Sequence, residues 1–185
     1  MVPEAAGRPI RRSTLPAITA APDNKNKHKN KRQAKLKQQG ADNNKKPTHE
    51  ADKMQLMPWN DREYSVNIKK IDEQHKELIG YLNVLHKAFT EGKDHAIIEV
   101  MLEDLSSYAK YHFGLEEQLM QAYDYRDYMV HRLRHNYFIE HIVDLEIDYM
   151  AGKKDVTGRT MYLLKDWIDK HIKIKDKEYS KYLNE

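Results

Sequence analysis

Between Met54 and Glu185 the inward-reading positions recur at steps of three and four, the repeat of one buried helix face. Ile71, His75, Leu78, Leu82, Leu85 and Phe89 form a first stripe; Gly92 ends it and Asp94 is placed to cap the next helix. Ile98, Met101, Leu105, Tyr108, His112, Glu116 and Leu119 form a second, up to a break at Tyr123–Tyr125. Asp127 can cap a third helix with His131, His135, Phe138, Ile142, Leu145 and Tyr149 on one face, closed by Gly152 and Lys153. Thr157 can start a fourth, carrying Met161, Leu164, Ile168 and His171. Strand alternation is missing from this part. Four amphipathic helices on short links predict an all-α, up-down-up-down four-helix bundle over residues 54–185. Met57–Lys70, with Trp59, reads as an extended N-terminal arm laid over the bundle end.

Residues 1–53 follow another grammar. Pro3, Pro9, Pro16, Pro22 and Pro47 lie there, and Leu36 is the sole large apolar side chain between Asp23 and Lys46. Such a segment cannot bury enough surface to offset its ordering entropy, so a disordered basic tail is predicted. The formal net charge of +3 conceals the division. Residues 1–50 hold 12 Lys/Arg against 4 Asp/Glu, a balance of +8, and the remainder holds 20 against 25, a balance of −5. A solvated tail or tether is the expectation for this segment, with an oxygen-requiring enzyme or an anionic partner reached through residues 1–50 as the alternative. Without interleaved aromatics for base stacking, nucleic acid is not expected. Arg11 and Arg12 precede the mildly apolar Leu15–Ala21, but that stretch is short for an export signal and contains Pro16. No apolar run reaches the ~20 residues of a membrane span, and a cytoplasmic location is expected.

With no cysteine in 185 residues, disulfides, iron–sulfur clusters, thiolate zinc sites and cysteine nucleophiles are excluded. A metal must then be held by nitrogen and oxygen, which suits iron, manganese or zinc. The stripes supply those atoms where a bundle core should be apolar: His75, His112, Glu116, His131, His135, His171 and, beyond the last stripe, Asp176. Buried polar groups are costly unless bonded, and buried charges more so. One such residue is unexceptional, but seven require a common cause.

His112 and Glu116 stand four apart on one helix face, as do His131 and His135. Asp176 follows His171 by five residues, about 140° away around a regular α-helix. Sharing the site therefore requires a π-type widening or a helix end near Lys173–Lys175. A single zinc takes four ligands, so five imidazoles and two carboxylates suit a metal pair better. Two octahedral ions sharing both carboxylates and an oxygen bridge use all seven groups and leave one position open. His28, His49, His86, His95 and His141 fall off the stripes or in the tail and read as bystanders.

At these residues the chain resembles the hemerythrin family, and its bacterial members in particular. The motifs are Ile71-Asp72-Glu73-Gln74-His75-Lys76, His112-Phe113 with Glu116-Glu117, His131 with His135, and Trp167-Ile168, His171-Ile172, Asp176 and Tyr179. They run from Trp59 to Leu183, about two-thirds of the chain. The resemblance implies one iron on His131, His135 and His171 and another on His75 and His112. Glu116 and Asp176 would bridge beside an oxo or hydroxo group, and dioxygen would bind the five-coordinate iron next to His75 and His112. Phe113, Trp167 and Ile168 would wall the oxygen pocket. Two departures are visible: Asn67 where glycine is common, and Ile168 where leucine is common.

The implied function is reversible oxygen binding for storage, delivery or transport, and not an enzyme. A ferroxidase or oxidase site uses Glu-x-x-His pairs, and no glutamate here is followed by histidine three residues on. An oxygen or redox sensor with residues 1–50 as its output is the other alternative.

Overall fold

The computed structural model describes residues 55–184, so the expected tail over residues 1–53 lies outside the described residues. Helix α1 is the single turn Asp61–Tyr64, and α2 runs Lys69–Thr90. A 3-10 turn at Asp94–Ala96 leads into α3, Ile98–Ala122; α4 is Tyr128–Met150. Helix α5, Val156–Trp167, continues without interruption through a π-helical segment, Ile168–Asp176, into α6, Lys177–Asn184. No strand occurs among the described residues. The long helices pack in a ring, α2 against α3, α3 against α4, α4 against α5 and α5 back against α2. With short links between consecutive members this is the expected up-down-up-down bundle. None of the described helices is long and apolar enough to cross a membrane.

Three helices end alike. After α2 the Gly92 amide donates to the Phe89 carbonyl and Lys93 to Ala88, with Gly92 at φ 67°. After α4 the Gly152 amide donates to Tyr149 and Lys153 to Asp148, again at φ 67°. After α3, Asp124 takes the same left-handed place at φ 51°, donating to Gln121 while Tyr125 donates to Met120. These paired bonds satisfy last-turn carbonyls that would otherwise lack partners. Asn67, one of the two departures from the resemblance noted above, sits at φ 58°. That is the region glycine occupies freely and asparagine tolerates best among other residues.

The helix starts depart from expectation. Asp94 makes no cap for α3; it is buried and accepts from the Thr157 hydroxyl at 2.7 Å, tying the α2–α3 link to the first turn of α5. Asp127 stands at the start of α4 but makes no side-chain capping bond. Helix α5 begins at Val156, one residue before Thr157. Phe89 is 47% exposed, because the core at that end is already closed by Leu85, Ile98, Met101, Leu102, Leu145 and Val156.

The arm is less extended than its sequence suggests, since it contains α1. Its backbone at Met57 exchanges two hydrogen bonds with the Asn83 side chain, at 2.9 and 2.8 Å. Asp72, in the first turns of α2, accepts from the Ser65 hydroxyl and the Val66 amide, both at 2.7 Å. Lys173 reaches Glu63 at 2.8 Å. Asn83 lies well along α2, so the arm runs beside the α2 and π-segment flank rather than across the end.

Candidate metal centre

His75 stands near the start of α2, His112 and Glu116 in the later half of α3, His131 and His135 near the start of α4, and His171 and Asp176 late in the last helix. Alternating helix direction brings all of these to one level of the core. Each of the seven is buried. The π-helical segment settles the Asp176 question: i→i+5 bonding places residues five apart on one face, and His171 Nε2 lies 3.1 Å from Asp176 Oδ1. A helix end near Lys173–Lys175 is not what occurs.

Each carboxylate turns one oxygen to each of two histidine groups. Glu116 Oε1 lies 3.6 Å from His75 Nε2 and 3.7 Å from His112 Nε2, while Oε2 lies 3.2 Å from His135 Nε2. Asp176 Oδ2 lies 3.3 Å from His75 Nε2, and Oδ1 lies 3.3 Å from His131 Nε2 and 3.1 Å from that of His171. The partition into two and three histidines is thus written in the carboxylate oxygens. Ligating atoms of Glu116, His131, His135 and His171 lie within 4.8 Å of one another, and so do those of His75, His112 and Glu116.

These atoms fit a metal pair better than they fit one another. His75, His112 and His135 Nε2, Glu116 Oε2 and both Asp176 oxygens are buried without a hydrogen-bond partner. Such groups are costly in a dry core unless something coordinates them. His131 and His171 bring their Nε2 atoms to 3.0 Å. Two nitrogens bound at right angles to one ion, at bonds of about 2.1 Å, stand that far apart.

The distal nitrogens are held from outside. Gln74 Oε1 lies 3.0 Å from His112 Nδ1, and Glu117 Oε1 lies 2.9 Å from His135 Nδ1. An acceptor at Nδ1 fixes the hydrogen there and leaves the Nε2 lone pair free to ligate. Arg132 backs Glu117 at 3.6 Å, and the Tyr108 hydroxyl donates to the Gln74 carbonyl at 3.2 Å. The buried Tyr179 hydroxyl donates to Glu116 Oε1 at 2.8 Å. The sequence pattern does not single out these supporting roles, although Gln74 and Glu117 are chain neighbours of His75 and Glu116. Adjacency to a residue on the inward face was the available signal.

Charge is balanced internally. Burial disfavours the charged form of His75, but the Asp176 and Glu116 carboxylates prevail and raise its pKa to about 9. At His135 burial is likewise overcome, by Glu116 and Glu117, again to about 9. Burial dominates at His112, held down at about 4, and also lowers His171. Burial pushes Glu116 and Asp176 upward, and at Glu116 the Asp176 charge adds to it, but the surrounding imidazoles pull harder and both end below the usual carboxylate range. The charged forms of His75 and His135 are thus favoured beside the two carboxylates, and a metal bound there would compete with those protons.

Aromatic rings close the three-histidine side. Phe113 stacks on His135 with centroids 4.0 Å apart and planes 5° from parallel, and lies 5.5 Å from His112. Trp167 stacks on His171 at 3.8 Å and 14°. Ile168 is fully buried in the same core cluster as both. Met57, Tyr64, Phe138, Ile142 and Leu164 continue that cluster. The structure thus sets Phe113 between the two histidine groups and Trp167 against the larger one. His141 Nδ1 meets the Tyr137 carbonyl at 2.8 Å, away from the cluster.

Residues 66–183 match the hemerythrin HHE cation binding domain. A bacteriohemerythrin of Pseudomonas paraeruginosa is 34% identical over 126 residues, covering 68% of this chain and 80% of that protein. The bacteriohemerythrin of Methylococcus capsulatus is 32% identical over 131 residues, covering 71% of this chain and 99% of that one. The crystal structure of a wild-type hemerythrin superposes with a TM-score of 0.64 at 32% identity, over 70% of this chain and 99% of that chain. With the family match spanning residues 66–183, and five histidines and Glu116 grouped with the nearby Asp176 at the level where the four helices meet, this chain belongs to the hemerythrin family.

Proposed function

We propose that this protein binds dioxygen reversibly at a pair of irons, for oxygen storage, delivery or transport. His131, His135 and His171 would hold one iron, His75 and His112 the other, with Glu116 and Asp176 spanning both beside an oxo or hydroxo bridge. The carrying observation is the division of the carboxylate oxygens between three histidines and two. Bound there, the pair would supply reversible redox chemistry and, on the two-histidine side, one open coordination position. The chain's own contribution is preparation. Gln74 and Glu117 keep His112 and His135 in the ligating tautomer, and Tyr179 fixes the rotamer of Glu116. Phe113, Trp167 and Ile168 exclude water, so that protons do not reach the bound gas freely.

The test is metal content and the optical spectrum of protein reduced without air and then exposed to oxygen. The expected result is about two irons per chain, the ratio that seven ligands imply. A visible charge-transfer band should appear on oxygenation and fade on deoxygenation. Irreversible oxidation would instead indicate an oxidase, and a metal-free chain would sink the reading.

A further inference from the structure

Three tyrosines lead from the metal centre to the surface. Tyr179, on α6, is fully buried; its hydroxyl donates to Glu116 Oε1, and its ring lies 5.5 Å from that of His131, edge to face at 87°. Tyr125, in the link between α3 and α4, is buried and stands 6.4 Å from Tyr179. Tyr182 follows Tyr179 by three residues, the spacing of neighbours on one helix face, and its ring lies 5.4 Å from that of Tyr125. It is 44% exposed. Buried ring, buried ring and open ring thus form an unbroken file that starts on a carboxylate of the site.

Electron transfer weakens exponentially with distance, so rings this close exchange electrons far faster than rings set apart. A phenol yields an electron to a strong oxidant and can take it back, whereas the benzene ring of phenylalanine resists oxidation. The other aromatic approaches to the site do not make such a file. Trp167 stacks on His171, but beyond the imidazoles the rings beside it are Phe113 and Phe138. Tyr108 lies 6.2 Å from the exposed Tyr111, yet it meets the site through the Gln74 main-chain carbonyl rather than at a ligand.

We propose that Tyr179, Tyr125 and Tyr182 form a relay that carries the oxidising equivalents of hydrogen peroxide out of the metal centre to the surface, sparing the histidines that hold it. This role presupposes the iron pair proposed above. Reduction of one peroxide to two waters breaks the O–O bond and consumes two electrons and two protons. Each electron passes inward from Tyr182 through Tyr125 and Tyr179, and the exposed Tyr182 phenol gives its proton to water. The two inner rings end as they began, and Tyr182 is left as a phenoxyl radical. A small reductant of the ascorbate class returns one hydrogen atom to it. Two such passages close the balance, with peroxide and reductant consumed and two waters and the oxidised reductant formed. Of the three rings, Tyr182 alone is open enough for a reductant to reach.

The test treats the iron-loaded full chain with hydrogen peroxide, then reads tyrosyl radical by electron paramagnetic resonance and the oxidised residues by mass spectrometry of peptides. A radical that ascorbate erases is expected, with oxidation concentrated at Tyr182. Iron leaking into solution would instead mark tyrosines by exposure, striking Tyr162, at 72%, ahead of Tyr182. Tyr125→Phe keeps a ring in place but should lose the Tyr182 mark, and Tyr182→Phe should move the mark back to Tyr125. Both variants should keep the oxygenation band, since both residues lie beyond Tyr179. With that band intact, no mark at Tyr182, marking in order of exposure, or a Tyr182 mark indifferent to Tyr125→Phe would each overturn the relay alone. A missing band in the unaltered chain would overturn the iron reading and the relay together.

Discussion

The two ends of the bundle are built from the same four helices and held together by opposite means. At the end where α2 turns into α3, Leu85, Ile98, Met101, Leu102, Leu145 and Val156 fill the core, and the few polar bonds among them, Thr157 to Asp94 and Thr160 to the Val156 carbonyl, are satisfied within the fold. At the other end seven ionisable residues occupy the equivalent layer, several of their atoms without partners. Apolar burial stabilises the first end whatever the solution contains. The second is complete only when its nitrogens and oxygens have something to bind. Such a molecule separates folding from loading along its own length.

The strongest way to break this contrast is to remove one spanning carboxylate. Asp176→Ala should abolish retention of the metal pair and, with it, the rise in melting temperature that iron confers. Leu102→Ala at the opposite end should lower stability by about 3 kcal/mol, as for a buried leucine truncation, yet leave iron stoichiometry intact. Metal analysis beside chemical denaturation would decide; equal metal loss in both variants would refute the separation.

A smaller effect should appear with pH. His75 and His135 have folded-state values raised from 6.5 to about 9, so their protonation stabilises the metal-free bundle fully below about pH 6.5. That contribution is lost as pH rises through about 9. Iron bound at these nitrogens would replace the same protons, so loading should release protons and tighten over this interval. Melting temperatures at neutral and alkaline pH should fall more for the metal-free form; parallel falls would count against the two imidazolium protons.

The smallest change tests the supports. Glu117→Gln keeps an acceptor for His135 Nδ1 but removes its charge, and should weaken iron binding by about tenfold, the low end for such outer partners. Competition with a chelator would measure it, and unchanged affinity would mean that the carboxylate charge of Glu117 does not matter.

Much of this was legible in the chain. The four-three repeat located the helices, Gly92 and Gly152 marked two of their ends, and the misplaced histidines pointed to the site because they broke an otherwise apolar face. Even the π segment was foreshadowed by the five-residue step from His171 to Asp176. Other features were hidden for a physical reason. Gln74 and Glu117 lie one residue off the inward faces, where periodicity assigns solvent-facing positions. Asp94 resembles a helix cap until its distant partner Thr157 is known.

The π-helical segment has a consequence that reaches past Asp176. A wide turn shifts the phase of everything after it, much as one extra tooth shifts a gear. Tyr179 meets Glu116 from α6, downstream of that shift. Wound as an ordinary α-helix, the five-residue step from His171 would set Asp176 about 140° away and carry Tyr179 with it. Deleting one residue between Ile172 and Lys175 would instead leave a four-residue step, which an ordinary α-helix keeps on one face. The wide turn and the residue count compensate each other, so the last helix is keyed by both, and neither can change alone without turning Asp176 and Tyr179 off the inward face.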